Sequence, residues 1–378
     1  MGTFILTDEQ RDLQALAKEF ADKEIRPLSA EYDLKGETPM DLYQKAAAMG
    51  FTAAAWPTQL GGLGLSYHTQ AIVNEELSKG DVGFANALGA SSFAARPVLN
   101  AGTERQKQYV ADIVLHGGLA SFALTEPNAG SDAAALRTTA VKSGSEYILN
   151  GRKCFITNAP YAQFFVVFAK TAPEKGHRGI SAFLVERSRP GVSVGKHEDK
   201  MGFRLSTAAD VVLEDVHIPA ENLVGVENKG FGLAMKILDY SRIGVAAEAV
   251  GLAQEAMDLA VGYAKERTTF GKPIGQHQGI QFMLADMEIK IQSARSLTYQ
   301  AAELADGGVP FGKISSCAKT LASDSAVSVA SDAVQIFSGY GYMKDYRVEK
   351  LYRDAKLLQI FEGTNQIQRM IIAGSLLR

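Results

Sequence analysis

The short β-branched and aromatic runs of this chain cluster in one block after about residue 120, with helical patterns before and after the block. Strands that alternate with helices build a parallel α/β sheet, whereas strands gathered in one block require an α+β fold with a separate small β domain. Within the block, Tyr147-Ile148-Leu149, Asn150-Gly151 and Cys154-Phe155-Ile156-Thr157 carry a strong hairpin signal. Asn-Gly supplies the two positive-φ residues of a type I′ turn. Residues 164–169, 180–185 and 211–218 add further strand runs, separated by Gly, Pro and Asn.

Upstream, Thr7 with Gln10 three residues on predicts a capping box, and Leu13, Leu16, Ala17, Phe20 and Ala21 line one helical face. Further helical patterns cover 40–49, 69–78 and 103–115, with Trp56-Pro57 and Gly61-Gly62-Leu63-Gly64 marking loops. Downstream, residues 231–266, 278–304 and 315–337 are long, alanine-rich stretches that suit a bundle of antiparallel helices. The expected domains are therefore helical over 1–120, β over 121–228 and helical again over 229–378.

Composition excludes several classes. With 46% hydrophobic and 21% charged residues and a net charge of −3, the chain reads as a globular enzyme without the basic patch of a nucleic-acid partner. It has no polybasic run for a membrane surface and no apolar stretch that spans a bilayer. Only Cys154 and Cys317 occur, which fits a reducing compartment. The start, MGTFILTDEQ, lacks a signal-peptide pattern. A cytoplasmic location is the expectation, or the mitochondrial matrix for a processed eukaryotic protein.

The nearest chemistries are missing. Gly61–Gly64 and Ser338-Gly339-Tyr340-Gly341 lack the preceding strand and following helix of a dinucleotide fingerprint, and no phosphate-binding G-x-x-x-x-G-K-[ST] is present. The six histidines show no metal spacing, and no G-x-S-x-G elbow appears.

What remains is a set of separated polar loops. Thr125-Glu126-Pro127-Asn128-Ala129-Gly130-Ser131-Asp132 offers hydroxyls and backbone donors suited to a flat polar ring and a phosphate. Phe155-Ile156-Thr157-Asn158 ends a strand with an aromatic and a hydroxyl, and Arg267-Thr268-Thr269-Phe270 sets a guanidinium beside an aromatic near a helix end. Near the C-terminus, Ile360-Phe361-Glu362-Gly363-Thr364-Asn365-Gln366 places one carboxylate beside two apolar residues and ahead of a hydrogen-bonding run. By itself that carboxylate reads as a first-turn glutamate favoured by a helix dipole.

Taken in order, TEPNAGSD, FITN, RTTFGKPIGQHQ, QIFSGYGY and FEGTNQIQR resemble the acyl-CoA dehydrogenase family over nearly the whole chain. The resemblance implies FAD and an N-terminal helical domain, a central small β-barrel-like domain and a C-terminal four-helix bundle. It places Phe122, Leu124, Thr125 and Ser131 along the isoalloxazine and phosphates, with Phe155 and Thr157 on the other flavin side. Arg267, Thr269, Phe270, His277, Gln278, Gln335 and Gly339 would reach FAD from a neighbouring subunit, implying a homotetramer. Thr364 and Gln366 would hold the adenosine part.

By the same resemblance Glu362 is the base that takes the α-proton of an acyl-CoA while hydride passes to flavin N5, giving a trans-2-enoyl-CoA. Ile360 and Phe361 would keep that carboxylate dry and raise its pKa. Asp239, Tyr240, Arg242, Ser131 and Gly363 would contact substrate, and an electron-transfer flavoprotein would accept the electrons. Phe361 stands where many relatives have Tyr, and Ser338 replaces a common glycine. The Ser241–Val245 segment looks most like short-chain members. Phe84 stands where glutaryl-CoA-type enzymes carry an arginine, and Arg96 is expected to face a loop or solvent; pointing inward it would instead bind the carboxylate of an acidic acyl group, an alternative that stays open. Tyr240, bulkier than the usual occupant, points toward a cyclic or branched acyl group. Three other readings stay open: a non-oxidative lyase, told apart by reduction of an acceptor dye; an acyl-CoA oxidase, told apart by hydrogen peroxide; and a flavin-free interaction protein, told apart by its lack of colour.

Overall fold

The computed structural model describes residues 5–377; Met1–Phe4, part of the start read above for a leader, and Arg378 lie outside the described residues. Six helices come first: α1 (Asp8–Phe20), α2 (Arg26–Lys35), α3 (Met40–Ala48), α4 (Tyr67–Gly80), α5 (Val82–Ala101) and α6 (Glu104–Val114). The Thr7–Gln10 capping box forms as the sequence predicts, and a second one, Thr103–Gln106, starts α6. Ala17, Phe20 and Ala21 are buried on the expected face of α1, but Leu16 is exposed.

Eight strands follow: β1 (Leu119–Ala123), β2 (Thr139–Ser143), β3 (Glu146–Thr157), β4 (Ala162–Lys170), β5 (Ile180–Glu186), β6 (Val192–Val194), β7 (Ala208–Pro219) and β8 (Leu223–Val224). They pair in the order β6-β7-β3-β2-β4-β5-β8, with β1 parallel to β4. One face of the sheet wraps a core of Tyr147, Leu149, Phe165, Val167, Phe183, Val185 and Leu213. The other face of β4 sends Phe164, Val166 and Phe168 against α5 and α6. Burial on both faces is why this strand reads as an unbroken apolar run.

The Asn150-Gly151 hairpin is absent. Strand β3 runs straight through both residues, and the chain reverses earlier, where Ser143 pairs with Glu146 around Gly144 at φ 62°. Tertiary partners outweigh the local turn signal. Asn150 Nδ2 donates to Asp215 Oδ1 at 2.9 Å, and Asn150 Oδ1 accepts the Asp215 N–H at 2.8 Å. Gly151 is needed because a Cβ there would lie 2.3 Å from Thr138 Oγ1.

The C-terminal part holds α7 (Gly230–Glu266), a two-stranded hairpin β9 (Thr268–Thr269) and β10 (Lys272–Pro273), then α8 (Gln278–Asp306), α9 (Gly312–Phe337), α10 (Val348–Leu358) and α11 (Asn365–Leu376). Helices α7 to α10 share one core, against which α4 also packs. The parts are tied near the end of α10, where Asp354 Oδ1 accepts the Phe203 N–H at 2.7 Å and the Phe203 ring meets Phe361 edge-on. Among the described residues, no helix is long and apolar enough to cross a membrane.

Candidate active site

A cleft of about 390 Å³ opens where the helical and β parts meet. Helices α4 and α5 form one wall, the ends of β1 and β3 another, and α7 with the 361–371 segment the third. Glu362 lies in this cleft, two residues before Thr364, whose hydroxyl caps α11 by accepting from the Ile367 N–H. The reading of Glu362 as a first-turn glutamate therefore fails.

The backbone at Glu362 is left-handed, at φ 56°, and Gly363 follows at φ 87°. A glycine is required at 363 because a Cβ would also lie 2.7 Å from Gln368 Nε2. That amide donates at 3.0 Å to the carbonyls of both Glu362 and Gly363. Lys319, fully buried on α9, donates at 2.9 Å to the Gly363 carbonyl and to Asn365 Oδ1. The uncommon backbone is thus held from two sides.

The Glu362 carboxylate accepts one hydrogen bond, from Ser241 Oγ at 2.7 Å. Desolvation raises its pKa above the ordinary 4.5, and Ser241, Arg242 and Lys319 offset this only in part. The dry surroundings come from Phe361 and α7. Ile360, expected to help, is 49% exposed and turned away.

The second wall is built around another carboxylate. Glu126 is buried and takes hydrogen bonds from Arg137 N–H (2.5 Å), Thr138 N–H (2.9 Å), Thr138 Oγ1 (2.5 Å) and Lys153 Nζ (2.8 Å). Burial alone would raise this group, but Lys153 and the other donors outweigh it and its pKa falls below the ordinary value. Glu126 anchors the Thr125–Asp132 loop to β3, a role the sequence did not disclose. Beside it a bulge in β3 sets Phe155 at φ 57° with its ring 69% exposed.

The cleft gathers Phe122, Leu124, Thr125, Ser131, Phe155, Thr157, Tyr240, Arg242, Glu362 and Gly363 of the predicted site. Arg242 is buried and ion-paired with Asp239, which lies outside the cleft lining, and its Nε has no partner. Arg267, Thr269, Phe270, His277, Gln278, Gln335, Gly339, Thr364 and Gln366 do not line this chain's cleft. Several of them form a separate group around the β9–β10 hairpin, where the Arg267 guanidinium lies 5.4 Å from the Tyr340 ring centroid and Phe270 is 96% exposed.

Two expectations about the acyl pocket change. Phe84 is fully buried in the N-terminal core and does not line the cleft. Arg96 does line it, but its guanidinium donates to Tyr67 Oη at 2.8 Å and stacks over that ring instead of facing solvent. The Tyr240 ring stacks on Tyr67 and meets Phe311 at a tilt. Sequence reasoning missed Ser241, Lys319, Gln368 and Glu248. Of these only Glu248 left a local signal, a lone carboxylate within Val245-Ala246-Ala247-Glu248-Ala249-Val250.

Family models for the acyl-CoA dehydrogenase N-terminal, middle and C-terminal domains match residues 7–117, 121–216 and 228–377. The chain belongs to the acyl-CoA dehydrogenase family. Its relatives include the NADH-dependent acryloyl-CoA reductase of Anaerotignum propionicum, 45% identical over 99% of this chain and 96% of that one. The CarC subunit of the caffeyl-CoA reductase–Etf complex of Acetobacterium woodii is 44% identical over 98% and 99%. The structure of butyryl-CoA dehydrogenase from Megasphaera elsdenii superposes with a TM-score of 0.97, at 45% identity over 99% of this chain and 100% of that one.

The protein is accordingly an FAD-dependent acyl-CoA dehydrogenase, an oxidoreductase acting on the α,β bond of an acyl thioester. The cleft fits the cofactor. An apolar ring held out in solvent by left-handed backbone, next to the hydroxyls of Thr125, Thr157 and Ser131, suits one flat aromatic face with polar edges.

Proposed function

We propose that Glu362 is the base in the dehydrogenation of a short-chain acyl-CoA to its trans-2-enoyl thioester. FAD, when bound, supplies the hydride acceptor. Glu362 takes the α-proton on its carboxylate, and its backbone N–H is the chain's own donor to the thioester oxygen as negative charge develops there. The observation that carries this reading is a cleft-lining carboxylate left with a single hydroxyl donor, so that desolvation raises its basicity. Asp239, Tyr240, Arg242, Ser131 and Gly363 hold the rest of the thioester.

The cofactor contacts assigned to Phe122, Leu124, Thr125, Ser131, Phe155 and Thr157 belong to the same reading. Arg267, Thr269, Phe270, His277, Gln278, Gln335 and Gly339 reach the cofactor of a neighbouring copy in a homotetramer, while Thr364 and Gln366 hold its adenosine part. Supporting this, the β9–β10 group stands apart from its own cleft, and Phe282, Ile289 and Met370 leave apolar surface exposed on α8 and α11. An electron-transfer flavoprotein is the acceptor, in line with the Etf complex named for the Acetobacterium relative, and the cytoplasm is the compartment, or the mitochondrial matrix for a processed protein. At least three relatives are named as reductases. The same groups serve enoyl-CoA reduction in reverse.

Anaerobic titration of the FAD-loaded protein with short, branched, cyclic and dicarboxylic acyl-CoAs tests the reading. Straight short chains bleach the flavin most rapidly, and Glu362→Gln slows bleaching about 10³-fold or more with FAD retained. Full-rate bleaching in that variant refutes the assignment.

A further inference from the structure

Two helical turns beyond Ser241, on the same face of α7, the cleft contains a second carboxyl group. Glu248 lines the cleft and is 6% exposed. Seven residues at 1.5 Å each put it roughly 10 Å along the helix from Ser241, the residue bonded to Glu362. Asn86 on α5 hydrogen-bonds the Glu248 side chain, and Ser206 Oγ donates to Asn86 Oδ1 at 3.1 Å, which orients the amide. Glu248 Oε2 has no partner. Asn74 on α4 also lines the cleft and faces Gly244, where an added Cβ would lie 3.6 Å from its Nδ2.

A pocket shaped for a plain alkyl chain has no use for an enclosed carboxyl bonded to one amide and sharing the cleft lining with a second. Buried polar atoms in folded proteins are nearly always paired, and an orphan lining a binding cleft is a position where a ligand completes the set. Burial, with a smaller push from the charge of Glu362, raises the Glu248 pKa to about 8, while the Asn86 hydrogen bond pulls the other way without cancelling it. Near neutral pH the group is therefore mainly protonated, able to donate as well as accept. Arg96, the cleft-lining guanidinium on α5, is taken up by Tyr67. An anionic chain end would meet a second acidic group at Glu248 in the same enclosed space, which disfavours it.

We propose that Glu248, flanked by Asn74 and Asn86, is a specificity-determining residue that hydrogen-bonds an uncharged polar group, a hydroxyl or carbonyl, at the distal end of a short acyl chain. The proposal rests on the cleft being the acyl-CoA site with Glu362 as base. It goes beyond that reading by naming a polar chain end.

The test compares butyryl-CoA with 4-hydroxybutyryl-CoA on the FAD-loaded enzyme and on its Glu248→Gln and Glu248→Leu variants. Two readouts are taken, kcat/KM for flavin bleaching and calorimetric Kd for the matching enoyl products. The ratio favouring the hydroxylated chain falls about tenfold or more in Glu248→Leu in both readouts, and Glu248→Gln, which keeps the shape and the hydrogen bonds, restores most of it. A ratio that moves less than about twofold in folded, FAD-loaded Glu248→Leu overturns the proposal. If butyryl-CoA still bleaches the wild type in that case, only the role of Glu248 is lost. If no thioester bleaches it, the reading of the cleft itself fails.

Discussion

Glu362 lines the cleft, whereas Glu126 is buried within the wall that the Thr125–Asp132 loop and β3 build and does not line it. Desolvation is the largest influence on both, yet they behave in opposite ways. Glu126 has four donors, one of them a buried ammonium, and its pKa drops. Glu362 has one hydroxyl donor, with cations only nearby, and its pKa rises. Burial alone does not make a base. The supply of donors decides whether a buried carboxylate becomes a structural anchor or a proton acceptor.

The contrast extends to stability. A depressed pKa means Glu126 contributes stability above its unfolded value of about 4.5, and that contribution is lost as pH falls through the lower folded value. A raised pKa reverses the sign. The folded state holds the Glu362 proton more tightly, so its contribution is fully present below 4.5 and is lost as pH rises to the folded value.

The largest effect that sharpens this comparison comes from Lys153→Met. It leaves Glu126 buried without its cation and costs about 3–5 kcal/mol in denaturant unfolding, with FAD content falling because the Thr125–Asp132 loop loosens. A cost under about 1 kcal/mol would place Glu126 among ordinary surface carboxylates. Next is Ser241→Ala. Removing the one donor to Glu362 raises its pKa further, so the bleaching rate on the acid side falls roughly tenfold, about 1.4 kcal/mol. An acid limb that stays in place or moves to lower pH would contradict the role given to that hydroxyl.

The smallest effect concerns backbone. Glu362 and Ser338 both adopt positive φ, at 56° and 57°, but only Glu362 lies in the cleft. Ser338→Gly should stabilise the fold by about 1 kcal/mol with bleaching unaltered, as read by thermal unfolding. A destabilised Ser338→Gly would mean the serine side chain has a contact that outweighs its backbone strain.

Much of the fold was legible because its signals are local. The capping box at Thr7, the 3.6-residue period of α7 to α9 and the apolar runs of β4 and β5 depend on neighbours in sequence. The Asn150-Gly151 turn misled because its competitors, Asp215 and Thr138, lie on other strands or loops. The same holds at the site. The motif residues Glu362, Thr125 and Phe155 could be named from sequence. The groups that set their behaviour could not: Lys153 is 27 residues from Glu126, and Ser241 is 121 residues from Glu362. Glu248 was missed as well, although a lone carboxylate in an alanine-rich helix is a local signal that could have singled it out.

The most direct measurement is an infrared pH titration of the FAD-loaded protein, subtracting Glu362→Gln from wild type to isolate one carboxyl. A protonated-carboxyl band that survives above pH 4.5, then disappears as pH rises and is missing in the variant, is the result expected of a desolvated base at 362. A difference spectrum with no such band above pH 4.5 would contradict it, because Glu362 would then titrate like a carboxylate in water.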